Sequence, residues 1–195
     1  LQLAMETLQE TYRKNRPEKF ERAAQLLLQS EHIFISGFRG FSGSARYMGV
    51  LLSQYINRVT YYCDADTRCV EGLIDYGSQD CVVVFGAERY SRMSCVLAQI
   101  ARDAHCRLIV ITDKLTAPLA VGADIVLLAD FTSPTAVNSY LGVNFWWRPS
   151  PSRSAASWAS FPSSGCPAWT TTCRSCICID ACPKMNSTPF VRQAW

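Results

Sequence analysis

A glycine- and serine-rich stretch follows the first apolar run of the chain and has the composition of an anion-binding loop. It reads SGFRGFSGS over residues 36–44. Gly37 and Gly40 would let the backbone approach an anion closely. Ser42 and Ser44 would cap the following helix or bond phosphate oxygens. Arg39 adds a guanidinium group, which binds phosphate or carboxylate through two parallel hydrogen bonds. A tight strand-to-helix turn with a serine cap and no ligand is the alternative interpretation.

A second loop of similar character, GAERYSR at residues 86–92, follows a later apolar run. Ser91 is placed to cap the next helix, and Arg89 and Arg92 would face an acidic ligand. The alternative is that both arginines lie on a solvated surface. Neither loop has the glycine and lysine spacing of a P-loop or of a full dinucleotide fingerprint, so ATP and NAD are disfavoured and we predict no cofactor.

Short apolar runs alternate with helical patterns through residues 1–145, and the two loops lie at their junctions. The apolar runs are at 33–35, 59–63, 81–85, 108–112 and 125–128. The helical patterns are at 2–14, 17–29, 43–55, 66–75, 91–104 and 135–145. This alternation predicts an α/β fold, a three-layer sandwich with a parallel sheet of about five strands. Ligands of such folds bind beyond the carboxyl ends of the strands, where both loops are expected.

Acid–base groups are sparse in this part of the chain. His32 and His105 precede the first and fourth predicted strands, at the opposite end of the sheet from the loops. Glu71 and Glu88 are the remaining candidates for a general base. Glu71 falls at the start of a predicted helix, where an acid is favoured by the helix dipole. This distribution favours ligand sensing over catalysis.

The bulk composition excludes several classes of protein. Of 19 basic and 16 acidic residues, five and one follow Phe145, which leaves 14 bases and 15 acids before it. A near-neutral body has no electrostatic footprint for DNA or an anionic membrane. No apolar run approaches the roughly 18–20 residues of a membrane span. Five cysteines in apolar patterns before residue 145 indicate thiols of a reducing, cytoplasmic compartment.

The composition changes sharply after Phe145. Residues 146–195 contain all five tryptophans, six of the nine prolines, five of the ten cysteines and one acid, Asp180. Neither a packed domain nor a solvated tail is normally built from this mixture. Because Trp has the single codon TGG, residues 145–148 shifted by two bases give Leu, Val and then Glu or Ala, which continues a helix. We therefore interpret residues 146–195 as an aberrant, non-native and disordered tail produced by a frameshift.

The cysteines of this tail have the spacing of a metal site, which is the alternative interpretation. Cys173, Cys176, Cys178 and Cys182 could hold zinc or an iron–sulfur cluster. Their flanking Ser, Pro and Trp residues supply no supporting fold, and the frameshift explains the same residues. We therefore predict no metal site.

Residues 18–145 resemble the SIS (sugar isomerase) domain, and more narrowly that of RpiR/MurR-type bacterial transcriptional regulators. The resemblance rests on the strand–loop–helix at 33–55, the loop ERYSR at 88–92, and the run from ITD at 111–113 through PLA at 118–120 to AD at 123–124. Residues 1–17 resemble the linker helix between that family's N-terminal helix-turn-helix domain and its SIS domain. The chain begins at Leu1 rather than Met, and we expect the DNA-binding domain in sequence missing upstream.

The resemblance implies a phosphosugar ligand held by hydroxyl groups of the two loops. By position, Ser42 matches the serine of the family's first loop, and Ser91 matches the Ser/Thr of its second loop. Many SIS domains have Ser-x-Ser just before that second position, where this chain has Gly86 and Glu88. A carboxylate at Glu88 repels phosphate unless Arg39 or Arg89 compensates, so a related sugar-acid effector is also open.

The resemblance therefore predicts an effector-sensing domain of a transcriptional regulator of carbohydrate metabolism. It implies a homodimer that contacts DNA only through the missing domain and has no membrane partner. An aldose–ketose phosphosugar isomerase is the first alternative, and a non-functional truncated product is the second.

Overall fold

The computed structural model describes residues 1–134 and 137–145. The interpretation of residues 146–195 as an aberrant tail, with its cysteine cluster, lies outside the described residues.

Five parallel strands form one sheet in the order β2-β1-β3-β4-β5. The strands are β1 Ile33–Ser36, β2 Val59–Tyr62, β3 Cys81–Phe85, β4 Arg107–Thr112 and β5 Ile125–Leu128. β1 and β3 are completely buried, which explains why their sequences are continuous apolar runs without alternation. The predicted parallel α/β sheet is confirmed.

Six α-helices cover the two faces of the sheet in the described part of the chain. They are α1 Gln2–Arg13, α2 Pro17–Gln29, α3 Ser42–Ser53, α4 Arg68–Glu71, α5 Arg92–Asp103 and α6 Leu141–Phe145. Pro17 occupies the first turn of α2, where its missing N–H costs nothing. Alternate residues of each strand supply two separate cores, so the predicted three-layer sandwich is confirmed.

The connections leave β1 and β3 on opposite faces of the sheet. α3 follows β1 and packs through Ala45 and Met48 on the face that includes Ile35. α5 follows β3 and packs through Leu97 on the face that includes Val84. Because the chain leaves these neighbouring strands in opposite directions, a crevice opens at their carboxyl ends, as at the switch point of other doubly wound sheets.

The last predicted helix is shorter than the sequence pattern indicates. The pattern predicts a helix over 135–145, but residues 137–140 are not helical and α6 begins at Leu141. Tertiary contacts hold this stretch instead, because the Ser139 N–H donates to the Phe131 carbonyl and Tyr140 packs edge-on against Phe41. Local periodicity is therefore overridden by packing around the first loop.

The described cysteines are free thiols. Cys63, Cys69, Cys81 and Cys106 are buried and Cys95 is half-buried. Burial raises the pKa of the Cys106 thiol to about 11, so this thiol is protonated at neutral pH. Within residues 1–134 and 137–145, no helix has the length and apolar character to cross a membrane, and no group of His, Cys, Asp and Glu side chains could hold a metal ion.

Candidate functional site

A cavity of about 130 Å³ opens between the loops that follow β1 and β3. The residues that line it are Phe38, Arg39, Gly40, Phe41, Gly86, Ala87, Glu88, Arg89, Ser91, Ser94, Asn138 and Tyr140. β1 and β3 are hydrogen-bonded neighbours in register from Ile33 to Ser36, so their loops emerge side by side. The cavity therefore occupies the crevice at the topological switch point, where ligands of doubly wound sheets bind.

Both loops place an arginine in the left-handed backbone region. Arg39 has φ 58° and Arg89 has φ 65°, and both side chains line the cavity. A non-glycine residue in this conformation costs about 1–3 kcal/mol, and such strain is concentrated at functional sites. Within the described residues neither guanidinium group forms an ion pair, so both are available to an anion in the crevice.

The first loop is a short 3-10 turn at Arg39–Phe41 that leads directly into α3. The Ser42 hydroxyl donates to the Arg39 carbonyl at 2.8 Å, which supports the strained turn. Gly40 lies directly under the Tyr140 hydroxyl, where a β-carbon would collide with the ring. The absence of a side chain at Gly40 is thus a steric requirement of this turn.

The predicted site residues divide into two groups in the structure. Those brought together around the cavity are Arg39, Gly40, Glu88, Arg89 and Ser91. Gly37, Ser42 and Ser44 do not line it: Gly37 and Ser44 are buried beneath the loop, and the Ser42 hydroxyl is bonded to Arg39. Assignment of all eight residues to a ligand stays a prediction.

The second loop ends at the amino terminus of α5 with Ser91. Ser91 holds the N-cap position, but its side chain makes no capping hydrogen bond. The first four N–H groups of a helix have no intrahelical partner, and the helix dipole places positive potential there. Ser91 and this helix terminus therefore offer neutral donors to an anion beside Arg89.

Glu88 is turned toward a cation on the neighbouring loop. Its carboxylate lies 3.6 Å from Nζ of Lys114, and the same ammonium is 3.8 Å from the Asp113 carboxylate. Glu88 and Lys114 are both exposed, so the pair contributes little stability, and Lys114, which is shared with Asp113, offsets only part of the negative charge beside the crevice. Arg39 and Arg89 are the cavity-lining charges that have no ion-pair partner within the described residues.

Asp113 also fixes the base of the second loop. The Tyr90 hydroxyl donates to Asp113 at 2.8 Å, and the Thr112 hydroxyl donates to the same carboxylate oxygen at 3.1 Å. Burial, together with the hydrogen bond to the Asp113 carboxylate, raises the pKa of Tyr90 to about 12. Tyr90 is therefore a neutral donor that anchors the loop rather than a source of charge.

Sequence reasoning missed part of the cavity lining. Ser94 lies one turn into α5, and its hydroxyl donates to the Phe85 carbonyl at 3.1 Å. The position of Ser94 one turn after Ser91 was a usable signal. Asn138 and Tyr140 come from a stretch that the pattern assigned to a helix, so the sequence held no signal that they turn back over the first loop.

The two histidines lie away from the cavity, as predicted. His32 directly precedes β1, and its ring nitrogen Nδ1 lies 3.0 Å from the Asp80 carboxylate. His105 lies just before β4. Glu71 ends α4 and is not among the residues that line the cavity. Glu88 is the carboxylate that lines the cavity.

A sequence model of the SIS domain family matches residues 26–142, which include both loops and every strand. The search of curated proteins returned no match.

Solved structures with the same fold include regulators and an inferred isomerase. The sugar isomerase domain of an RpiR transcription factor from Sphaerobacter thermophilus has a TM-score of 0.72 and 21% identity, over 75% of this chain and 82% of that chain. Vibrio vulnificus NanR, complexed with ManNAc-6P, has a TM-score of 0.66 and 17% identity, over 75% of this chain and 56% of that chain. A Methanococcus jannaschii protein with an inferred function of 3-hexulose-6-phosphate isomerase has a TM-score of 0.54 and 12% identity, over 67% and 70%.

Proposed function

This chain belongs to the SIS domain family, and from that premise we propose that it binds a sugar phosphate as the effector-sensing part of a transcriptional regulator. The domain would act in the cytoplasm, where its free thiols stay reduced. Similarity in fold to the RpiR domain and to NanR supports the regulator assignment.

The observation on which the proposal rests is the pair of unpaired, strained arginines at the switch point. Arg39 and Arg89 approach one crevice from two different loops, and Glu88 is partly offset by Lys114. A phosphate monoester bears close to two negative charges at neutral pH, which two guanidinium groups neutralise. Ser91 and the amino terminus of α5 add neutral donors on the same side.

A titration of matched ligands by calorimetry tests the proposal. The probes are ManNAc-6P, the sugar phosphate bound by NanR, and the same sugar without its phosphate. We expect binding of the phosphorylated sugar only, and loss of that binding in Arg39→Ala/Arg89→Ala. Arg22→Ala, which removes an exposed arginine on α2, is the matched control. Equal affinity for both sugars, or undiminished binding of ManNAc-6P by the double variant, would overturn the proposal. If neither of the two sugars binds, the same titrations are made with a wider panel of sugar phosphates.

The regulator assignment further implies a homodimer in which DNA is contacted by a separate amino-terminal domain. Residues 1–145 carry 14 basic and 15 acidic residues, and such a near-neutral charge provides no general attraction to DNA. Light scattering on the purified chain measures its mass in solution. A monomer at micromolar concentration would contradict the dimer.

A phosphosugar isomerase is the second candidate, and Glu88 is the observation that favours it. Among the residues that line the cavity it is the carboxylate, the group type that can remove a proton next to a carbonyl. Its pairing with Lys114 and its exposure argue against that role. Incubation with hexose 6-phosphates, followed by NMR, would detect conversion of aldose to ketose; turnover that Glu88→Gln abolishes would establish the enzyme.

A further inference from the structure

Helix α1 is docked on the domain through polar side chains. Thr7, Thr11 and the following Asn15 are buried, whereas Leu3 and Met5 on the same segment are exposed. An amphipathic helix of a globular protein normally buries its apolar stripe. Docking through hydroxyl and amide groups gains little free energy, because each hydrogen bond replaces one made to water. The buried contacts of α1 therefore depend largely on hydrogen bonds at specific positions.

The contacts of α1 are concentrated at the carboxyl end of β5. The Asn15 side-chain amide donates to the Leu128 carbonyl at 2.6 Å and accepts from the Leu128 N–H at 2.8 Å. This reciprocal pair replaces the missing neighbour of an edge strand. One residue pair further on, the Thr11 hydroxyl accepts from the Asp130 N–H at 2.9 Å, and Lys14 lies 2.8 Å from the Asp130 carboxylate.

Asp130 directly precedes Phe131, which packs against two aromatic residues that line the crevice, Phe41 and Tyr140. The rings of Phe131, Tyr140 and Phe41 pack edge-on around one another at centroid distances of 5.1–6.3 Å. The Ser139 N–H donates to the Phe131 carbonyl, which ties these two residues together. The α1 contacts and the cavity lining are thus joined by directly packed groups.

Space between these elements is tight at both ends. A β-carbon on Gly40 would collide with the Tyr140 hydroxyl, and one on Gly142 would collide with the Thr11 hydroxyl and the Asp130 carbonyl. The cavity itself measures about 130 Å³, while pockets for small organic ligands are typically about 300–1,000 Å³. The crevice as it stands is smaller than such pockets, and Tyr140, which lines it and lies over Gly40, is a side chain whose outward movement would enlarge it.

We infer that ligand entry displaces Tyr140 and Phe131 and thereby weakens the docking of α1 at Asp130 and Leu128. The inference rests on the proposed function and adds the regulation of the same site. The structure shows α1 bonded to the end of β5, and ligand binding loosens those bonds. Because ligand binding and α1 docking are linked, a chain in which α1 is already loosened must bind the ligand more tightly. The gain in affinity equals the factor by which the ligand weakens α1 docking.

The first test needs no ligand and so does not depend on the proposed function. Tyr140→Ala removes the ring that contacts Gly40 and Phe41 and should raise the hydrogen-exchange rate of residues 2–13 by about five-fold or more. Tyr47→Ala, which removes an exposed tyrosine on α3, is the matched control and should leave that rate unchanged. Unchanged exchange in Tyr140→Ala would overturn the coupling whether or not a sugar phosphate binds.

The second test measures both directions of the linkage with ManNAc-6P. Saturating ligand should accelerate exchange of residues 2–13 in the wild-type chain. Thr11→Val/Asn15→Ala should bind ManNAc-6P about five-fold more tightly or better, although neither residue touches the cavity. Gln9→Ala, on the exposed side of α1, is the control and should bind as the wild type does.

The outcomes separate the two proposals. Slowed exchange of α1 on ligand binding, or weaker or unchanged binding by Thr11→Val/Asn15→Ala, would overturn the coupling and leave the binding site intact. Absence of binding by the wild-type chain to every sugar phosphate tested would overturn the proposed function, and the coupling would then be decided by Tyr140→Ala alone. A cooperative thermal unfolding transition is the control that each variant is folded.

Discussion

The loops after β1 and β3 present the same element, an arginine in left-handed conformation, but are supported from opposite sides. The first loop is held by packing, with Phe41 against the rings of Phe131 and Tyr140. The second loop is held by polar groups of the β4 side, where Tyr90 donates to Asp113 and Glu88 pairs with Lys114. Two unlike supports thus bring similar charges to one crevice.

The difference separates two tasks within the site. The second loop has the Ser91 hydroxyl, which makes no capping hydrogen bond, and the amino terminus of a three-turn helix, so it provides donors for an anion. In the first loop the Ser42 hydroxyl is already used, because it donates to the Arg39 carbonyl. The first loop contributes its arginine and, through the aromatic rings, a connection to α1. We therefore expect changes in the second loop to alter affinity, and changes in the first loop to alter affinity and packing together.

The largest expected effect comes from removing either arginine. Arg39→Ala and Arg89→Ala should each weaken binding of a sugar phosphate by about 10–100-fold, since a hydrogen bond to a charged group contributes about 1.5–3 kcal/mol. Calorimetric titration measures the loss. If both arginines bind the same phosphate, the loss of binding free energy in the double variant will differ from the sum of the two single losses. Strictly additive losses would indicate that the arginines bind separate groups of the ligand.

Two glycines of the first loop differ in the space around them, so replacing each by alanine tests how tightly the loop is packed. Gly40→Ala should lower the free energy of unfolding by about 1–3 kcal/mol, because the new methyl group overlaps Tyr140. Gly43→Ala, three residues later in the first turn of α3, meets no atom within 4 Å and should stabilise the helix by about 0.5–1 kcal/mol. Chemical denaturation measures both, and a loss of equal size in the two variants would contradict the packing argument.

The serines of the two loops should differ in their effect on affinity. Ser91→Ala removes a hydroxyl that lines the crevice near Arg89 and should weaken sugar phosphate binding by about 2–10-fold, equivalent to about 0.5–1.5 kcal/mol. Ser42→Ala removes only the bond to Arg39 and should mainly lower stability. A larger loss of affinity in Ser42→Ala than in Ser91→Ala would reverse the assignment of donors.

The smallest expected effect is that of the exposed charge pair. Glu88→Gln should strengthen binding of a dianion by about two- to five-fold, and Lys114→Met should weaken it by a similar factor, in line with the small energies of exposed ion pairs. Both effects should shrink as salt rises above about 0.15 M, because the charges are then screened. Titrations at two ionic strengths, with the unphosphorylated sugar as control, measure them. Salt-independent changes would indicate a steric cause.

The fold could be predicted from the sequence because each buried strand is a continuous apolar run, as in Cys81–Phe85. The loops could be predicted because glycines and hydroxyls follow directly on those runs, as at Ser36–Ser44. The side of the crevice that Asn138 and Tyr140 line could not be predicted. Tyr140 has helical spacing in sequence, and its non-helical position depends on Phe41, about 100 residues earlier in the chain.

Charge compensation was also beyond sequence reasoning. Glu88 repels phosphate when considered alone, and only the structure shows Lys114, which follows a different strand, beside it. The polar docking of α1 is a similar case, because the pattern of Leu3, Met5 and Leu8 predicts an apolar contact, whereas Thr7 and Thr11 are the buried residues. Pairings between distant elements determined both outcomes.

A crystal structure of the chain with ManNAc-6P would test the central claim most directly. We predict that the phosphate group lies between the guanidinium groups of Arg39 and Arg89, within hydrogen-bond distance of the Ser91 hydroxyl, with the Tyr140 ring displaced outward. A phosphate bound elsewhere on the chain, or a sugar ring in the crevice with its phosphate pointing to solvent, would contradict the claim.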